Sequence, residues 1–340
     1  MIGSAIAYHL ALAGARVRLY GADPVVPPSA SWASAGGVRS QGRDPREWAL
    51  TVEAARRWPV LADELGTDCQ FRAGGHLHVT GRPEAVAALA ARVRAEREAG
   101  IEAELVDGAA ARSIAPLLSD RVVAATFTRC DGQANPRLTS AAFRLAAIRH
   151  GVDFCRQAVD GLAVEEPVVV LAAGAWTSGV ARSAGIELPI QAVGLQMLRT
   201  DRCEPALAPT IASEERALSL KQLPDGAFYI GGGWPADVVG DPFSCQVRAD
   251  SVRGSWLVAS ELVPVLAERR IAEKICGLEG QSFDGVPLIG PLAERSDVYL
   301  AAGFSGHGFQ LAPAVGRAVA DELLGKEVPE LAGLRPSRTR

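Results

Sequence analysis

The chain has 340 residues, 22% charged and 48% hydrophobic, with a net charge of −4. That length suits two interleaved domains, and the composition is ordinary for a globular enzyme. Apart from the basic run from Arg335 to Arg340 there is no block of like charge, so no nucleic acid or anionic membrane partner is indicated. No apolar run approaches the ~20 residues that span a bilayer, and no basic region precedes the apolar N-terminus as in a signal peptide.

Gly3 to Ala13 forms an Ala-rich helix stopped by Gly14, and Val17 to Tyr20 reads as a strand. Helix then strand is the second half of a βαβ unit. A loop rich in Pro, Ser, Ala and Gly follows Pro24, and a helix is expected from about Pro45 to Glu64. Gly75 to Thr80 reads as a strand. Glu84 to Glu98 reads as a solvated amphipathic helix. Asn135 caps a helix that Pro136 opens, with Leu138, Ala141, Ala142, Leu145 and Ala146 at helical spacing and Gly151 at its end. Val152 to Phe154 begins a strand, and the apolar run Val168 to Ala172 reads as a buried parallel strand. Residues 187–281 mix short strands (Gln196–Arg199, Phe228–Gly231) with one long helix near 247–268. After that, strand and helix alternate again. Val298 to Ala301 is a strand, Gly303 to Phe309 is a Gly-rich loop, and Pro313 to Leu324 is a helix stopped by Gly325.

The six cysteines, Cys69, Cys130, Cys155, Cys203, Cys245 and Cys276, form no CxxC pair, and the five histidines show no ligand spacing, so no metal site is expected. Scattered single thiols point to a reducing cytoplasm.

Four segments carry candidate chemistry. Gly303, Gly306 and Gly308 let backbone N–H groups approach a planar or anionic ligand ahead of a positive helix end; the same loop also reads as a tight βα turn. The run Ser31 to Gly37 is small enough to lie against a ring system, or is a surface loop. Ala172 to Trp176 follows a parallel strand, where ligands bind in open α/β sheets. Asp284 to Gly290 alone is a turn and a short strand.

In order, these segments resemble the FAD-dependent D-amino-acid oxidase family. The opening resembles that family's GGGxxGxxxAxxLAxxGxxVxxxE from its third glycine onward, through Gly3, Ala7, Leu10, Ala11, Gly14 and Val17. Asp131, Gly132 and Pro136 resemble its DGxxxP segment, and GFSGHGFxxAPxxG beside DGxPxIGP is specific. Ala35 to Gln41 is similar to the sarcosine- and dimethylglycine-oxidising branch.

The resemblance implies an α/β fold. A Rossmann-like FAD-binding domain (1–66, 131–186, 282–330) is interleaved with a mostly antiparallel α+β substrate domain (67–130, 187–281), with 331–340 as a tail. It implies FAD held by Gly3, Ser4, Ser34, Ala35, Gly36, Gly37, Val38, Ala173, Gly174, Trp176, Gly303, Ser305, Gly306, His307, Gly308, Phe309 and Gln310. Hydride transfer from an amine or amino acid to flavin N5 and imine hydrolysis would follow, with oxygen or another electron acceptor. Arg39 and Arg43 are the candidate carboxylate clamp, against a reading as solvated surface arginines. His307 is a candidate base. Cys276 lies one residue out of register with the position where some relatives attach flavin, and is expected to be a buried, unmodified thiol. Homo- and hetero-oligomers both remain open.

Four features depart from the pattern. The family's first strand and two earlier glycines are expected to be missing, and a start site set too far downstream would explain it. Gly21 stands where an acidic residue would hold the ribose, with Asp23 as the candidate substitute. Val159 to Val168 is short for the usual excursion, and Gln310 is not the lysine of monomeric sarcosine oxidases. A cofactor-deficient, inactive flavoprotein is therefore the alternative. A nicotinamide-dependent dehydrogenase lacks a complete GxGxxG.

Overall fold

The structure, a computed structural model, describes residues 1–21, 27–162, 166–240 and 244–339. Asp23 lies outside the described residues. Among the described residues six helices reach ten residues: α1 (Ile2–Leu12), α2 (Trp48–Arg57), α3 (Val86–Glu98), α4 (Pro136–Arg149), α5 (Ala249–Leu262) and α6 (Gly308–Leu323).

One layer is α/β. Helix α1 is apolar nearly all round, and it is enclosed: Ala5, Ile6, Ala7 and Tyr8 are buried. It packs against α6 so closely that a Cβ on Gly316 would stand 2.8 Å from the Cβ of Ala5. Strand β1 (Arg18–Tyr20) pairs in parallel with β7 (Asp153–Cys155). A separate three-stranded sheet has the order β16 (Leu288–Pro291), β17 (Val298–Ala302), β8 (Val169–Leu171), with β8 parallel to β17. Strands β1 and β8 thus each have one paired edge among the described residues, and both border the same cavity. Between them in sequence a two-stranded ribbon pairs β2 (Gly37–Val38) with β6 (Gly132–Gln133).

The other layer is a ten-stranded, mostly antiparallel sheet. It contains β3 (His76–Thr80), β4 (Ala103–Asp107), β5 (Ala124–Thr128), β9 (Ile190–Thr200), β10 (Thr210–Ser213), β11 (Ser219–Gln222), β12 (Phe228–Gly231), β13 (Pro235–Val239), β14 (Ser244–Val247) and β15 (Ile271–Ser282). The β3–β10 pair is parallel. One face packs on α5 through Leu198, Ile211, Leu220 and Ile230; the other looks toward the α/β layer.

Several expected elements shift for local reasons. The helix foreseen from Pro45 to Glu64 is interrupted by a 3₁₀ turn at Trp58–Val60, where Pro59 cannot donate to the ladder. Helix α6 begins at Gly308, with Pro313 inside it rather than at its start. Helix α4 is capped as expected, the Asn135 side chain accepting from the N–H groups of Arg137 and Leu138, but Leu138 and Leu145 are exposed while Phe143 and Ala147 are buried. Strand β8 is shorter than Val168 to Ala172, and Val168 is exposed, because one edge of β8 borders the cavity. Residues 331–338 pack onto the fold: Leu331 and Leu334 are fully buried, and Arg338 bonds Asp284 and the Val286 carbonyl.

Candidate active site

The two layers enclose a cavity of about 2290 Å³. Its lining brings together residues from almost every segment singled out in the sequence: Gly3 and Ser4; Ser34, Ala35 and Gly37; Ala173, Gly174 and Trp176; Gly303, Ser305, Gly306, His307, Gly308 and Phe309. Arg39 and Arg43 line it too.

Three expected contacts do not reach it. Gly36 sits at φ +68° against the Ala134 carbonyl, 2.1 Å from where its Cβ would be, so it serves the close approach of the segments that pair as β2 and β6. Val38 is 1% exposed in the apolar core, because period-2 alternation turns it away from Gly37. Gln310 is buried in the helix packing: its amide donates to Thr51 O and its carbonyl accepts from Trp58 Nε1.

The two arginines have different work. Arg39 donates through Nη1 to the carbonyls of Gln41 (2.7 Å) and Gly42 (3.4 Å), so its guanidinium closes its own loop. Arg43 donates through Nε and Nη2 to Arg39 O, while its Nη1 is buried with no hydrogen-bond partner. Neither is a solvated surface arginine. Burial, and Arg39 beside it, pull Arg43 down to about 9, against Glu47 and Asp131. A guanidinium on a cavity wall is a place for an anion.

The same loop is fixed from below by two acidic residues that the sequence did not assign to it. Asp131 is buried and accepts from Ser40 N (2.9 Å) and Ser40 Oγ (2.6 Å); burial raises it to about 6 despite those bonds. Glu96, expected on a solvated face, is fully buried and accepts from Gly42 N at 2.5 Å.

His307 closes the cavity opposite. Its Nδ1 lies 3.1 Å from both carboxylate oxygens of the fully buried Glu47. Burial, with Arg43 nearby, pushes the imidazole down to about 4 although Glu47 opposes it. It is therefore neutral at pH 7. With Nδ1–H donated to Glu47, Nε2 is left as an acceptor.

His76 and His78 also line the cavity, His76 Nδ1 standing 2.6 Å from Thr210 Oγ1 with Nε2 unpartnered. Metal-ligand spacing does not single them out, but two histidines two apart on a strand share one face. Glu279 is the last addition. It lines the cavity, its burial raises its pKa, and it accepts from Gly306 N–H. Asp284, by contrast, does not line the cavity; it takes ion pairs from Arg46 and Arg338, and the DGVPLIGP segment is a structural tie there.

Comparison with known proteins agrees with this geometry. Residues 1–322 match the family model described as FAD dependent oxidoreductase (DAO). Glycine oxidase of Pseudomonas aeruginosa is 28% identical, covering 96% of this chain and 93% of its own. Dimethylglycine dehydrogenase of Rattus norvegicus is 24% identical over 99% of this chain and 43% of its own length. The chain spans less than half the length of this and other curated relatives it matches. The structure of L-proline dehydrogenase from P. horikoshii superposes with a TM-score of 0.91 at 25% identity, covering 99% of this chain and 95% of that one.

Proposed function

This chain belongs to the FAD-dependent oxidoreductase (DAO) family, and from that premise we propose that it oxidises a small amino acid or N-methylated amino acid at the C–H beside nitrogen. Relatives named glycine oxidase and dimethylglycine dehydrogenase support that substrate class. The observation that carries the reading is the largely buried Arg43 guanidinium on the wall of the cavity that His307 also lines.

The residues fit FAD. A Cβ added at Gly37 or Gly174 would meet nothing within 4 Å, so both open onto free space. Gly306 N–H is taken by a carboxylate oxygen of Glu279, so that loop offers a ring system its small residues rather than this donor. Gly3 and Ser4 would hold the pyrophosphate at the first turn of α1, and Ala35, Gly37, Gly174 and the Gly303–Phe309 loop would hold the ring system. The chemistry FAD supplies when bound is two-electron oxidation, hydride passing to flavin N5 and the imine going on to hydrolysis.

The chain's own residues bind and orient. Arg43, on the cavity wall, takes the substrate carboxylate, and Arg39 and Asp131 keep the Arg43 loop in place. His307 Nε2 accepts from the substrate amine. At about 4 the imidazole does not hold that proton at pH 7, so the proton passes on to water.

We also infer that the space between the free edges of β1 and β8 accepts one further strand. A Cβ on Gly3 would lie 3.5 Å from Ala172 and 4.0 Å from Leu19, so the start of α1 sits where both edges meet. With that space unfilled the competing reading is a folded chain that holds FAD weakly. The deciding experiment is the visible spectrum of the purified protein with added FAD, followed by anaerobic bleaching with glycine, sarcosine, dimethylglycine and proline. A bound flavin that none of these amines reduces would overturn the substrate assignment; no flavin binding would favour the competing reading.

A further inference from the structure

Cys245 and Cys276 lie 31 residues apart, on β14 and β15. In the pairing order these strands are separated by β13 and β9, because β14 pairs only with β13 among the described residues and β15 pairs with β9. Yet their sulfurs are in contact, Cys245 Sγ standing 2.6 Å from Cys276 Sγ, and Cys276 Sγ donates to the Cys245 carbonyl at 3.0 Å. The sheet has curled until its edge strand meets the far side of β9. Gly194 permits part of that approach, since a Cβ there would lie 2.5 Å from Ala236 O on β13. No backbone ladder closes the curl between β14 and β15 among the described residues.

Of the six cysteines only these two bring their sulfurs together, and both are partly exposed. Cys276 is therefore neither fully buried nor isolated, as its sequence context suggested. It does not line the cavity, but the next residues of β15, Gly277 to Gly280, do.

We propose that Cys245 and Cys276 form a reversible disulfide that clasps the β13–β14 edge onto β15, the strand that walls the cavity. The oxidant is a low-molecular-weight disulfide of the glutathione type. One cysteine thiolate attacks it, forming a mixed disulfide and releasing one thiolate. The second cysteine thiolate then attacks the protein sulfur of that mixed disulfide, releasing the other. The protein loses two protons and two electrons, and the small disulfide becomes two thiols. Juxtaposed strands hold the sulfurs ready, so the second step is intramolecular and fast relative to capture by another thiol.

The test is to equilibrate the folded, full-length protein at graded ratios of reduced to oxidised glutathione. Quenching, alkylation under denaturing conditions and mass analysis then follow. At the oxidising end four of the six cysteines should alkylate, and one linked peptide pair should contain Cys245 and Cys276. Dithiothreitol should restore six. The oxidised protein should melt at a higher temperature than the reduced one, and Cys245→Ser should melt at one temperature in both. Cys276→Ser is the second variant should Cys245→Ser fold poorly. Alkylation of all six cysteines at every ratio would overturn the proposal, as would linkage between any other pair.

Discussion

Glu47 and His307, 260 positions apart in sequence, meet as a fully buried carboxylate centred on one nitrogen of an imidazole, 3.1 Å from each oxygen. That contact fixes which nitrogen faces the cavity. It also joins the 3₁₀ turn before α2 to the loop before α6, so one pair orders two walls of the site.

Glu47→Gln should therefore lower kcat more than it raises KM. The amide keeps the shape but fixes the His307 tautomer less firmly, and a loss on the order of 10²-fold in kcat is expected. Steady-state kinetics checks this; an unchanged kcat would remove His307 from the reaction.

Arg43→Gln and Arg39→Gln should part company. The first should weaken substrates with a carboxylate by about 2–5 kcal/mol and leave carboxylate-free amines nearly untouched. The second opens the loop that Gln41 O and Gly42 O close, so it should lower activity on both classes together. Specificity constants on matched pairs of substrates decide it.

Gly306→Val should abolish flavin binding or reduction while the chain stays folded. A Cβ there meets only Glu279 Oε2, at 3.9 Å, so space in the protein is not the obstacle. The obstacle is φ +88° on a loop that lines the cavity; the strain is roughly 1–3 kcal/mol. Gly325→Ala, at φ +85° beyond the far end of α6, is the control. It should cost about 1–2 kcal/mol of stability and spare the flavin. Circular dichroism and anaerobic reduction are read side by side, and normal reduction of Gly306→Val would dismiss the loop as cradle.

Acid should destabilise the fold early. Burial is the leading cause that lowers His9 to about 3, His78 to about 3 and His307 to about 4, from 6.5. A group depressed on folding stabilises the fold above its unfolded value and loses that contribution as pH falls toward the folded one. Each contributes roughly 2–4 kcal/mol, lost from about pH 6.5 downward. Asp131, raised by burial to about 6, works in the opposite sense: its contribution is present below 3.8 and lost as pH rises through 6. The three histidines outweigh it. Melting temperature should fall from pH 6.5 to pH 4, and less steeply in His9→Gln; a flat profile would contradict the burial of these rings.

Supplying a strand should tighten FAD. An apolar segment ending in Gly-x-Gly, fused before Met1, would fill the space beside β1 and β8 and give the pyrophosphate further N–H donors. Flavin titration of the fused and unfused proteins compares the two affinities; equal affinities would mean that the space takes no strand.

By itself the sequence indicated the local elements, and the family resemblance pointed to the segments proposed to hold FAD. Apolar runs, glycine stops and the Asn135 cap are short-range features, and the Gly-rich loops need only a few neighbours to be recognised. Hence Gly37, Gly174 and Gly306 could be assigned to one site before any contact between them was visible. Only the tertiary structure decided which polar groups are buried and what they face. Arg39 and Arg43 are alike in sequence, yet one donates to Gln41 O and Gly42 O and closes its own loop, while the other donates to Arg39 O and is the more deeply buried. Glu96 and Glu279 carried no pattern at all, and they answer Gly42 and Gly306 from segments far away in the chain. Cys245 and Cys276 meet only because a sheet curls. Burial and long-range pairing are properties of packing, and no window of sequence contains both partners.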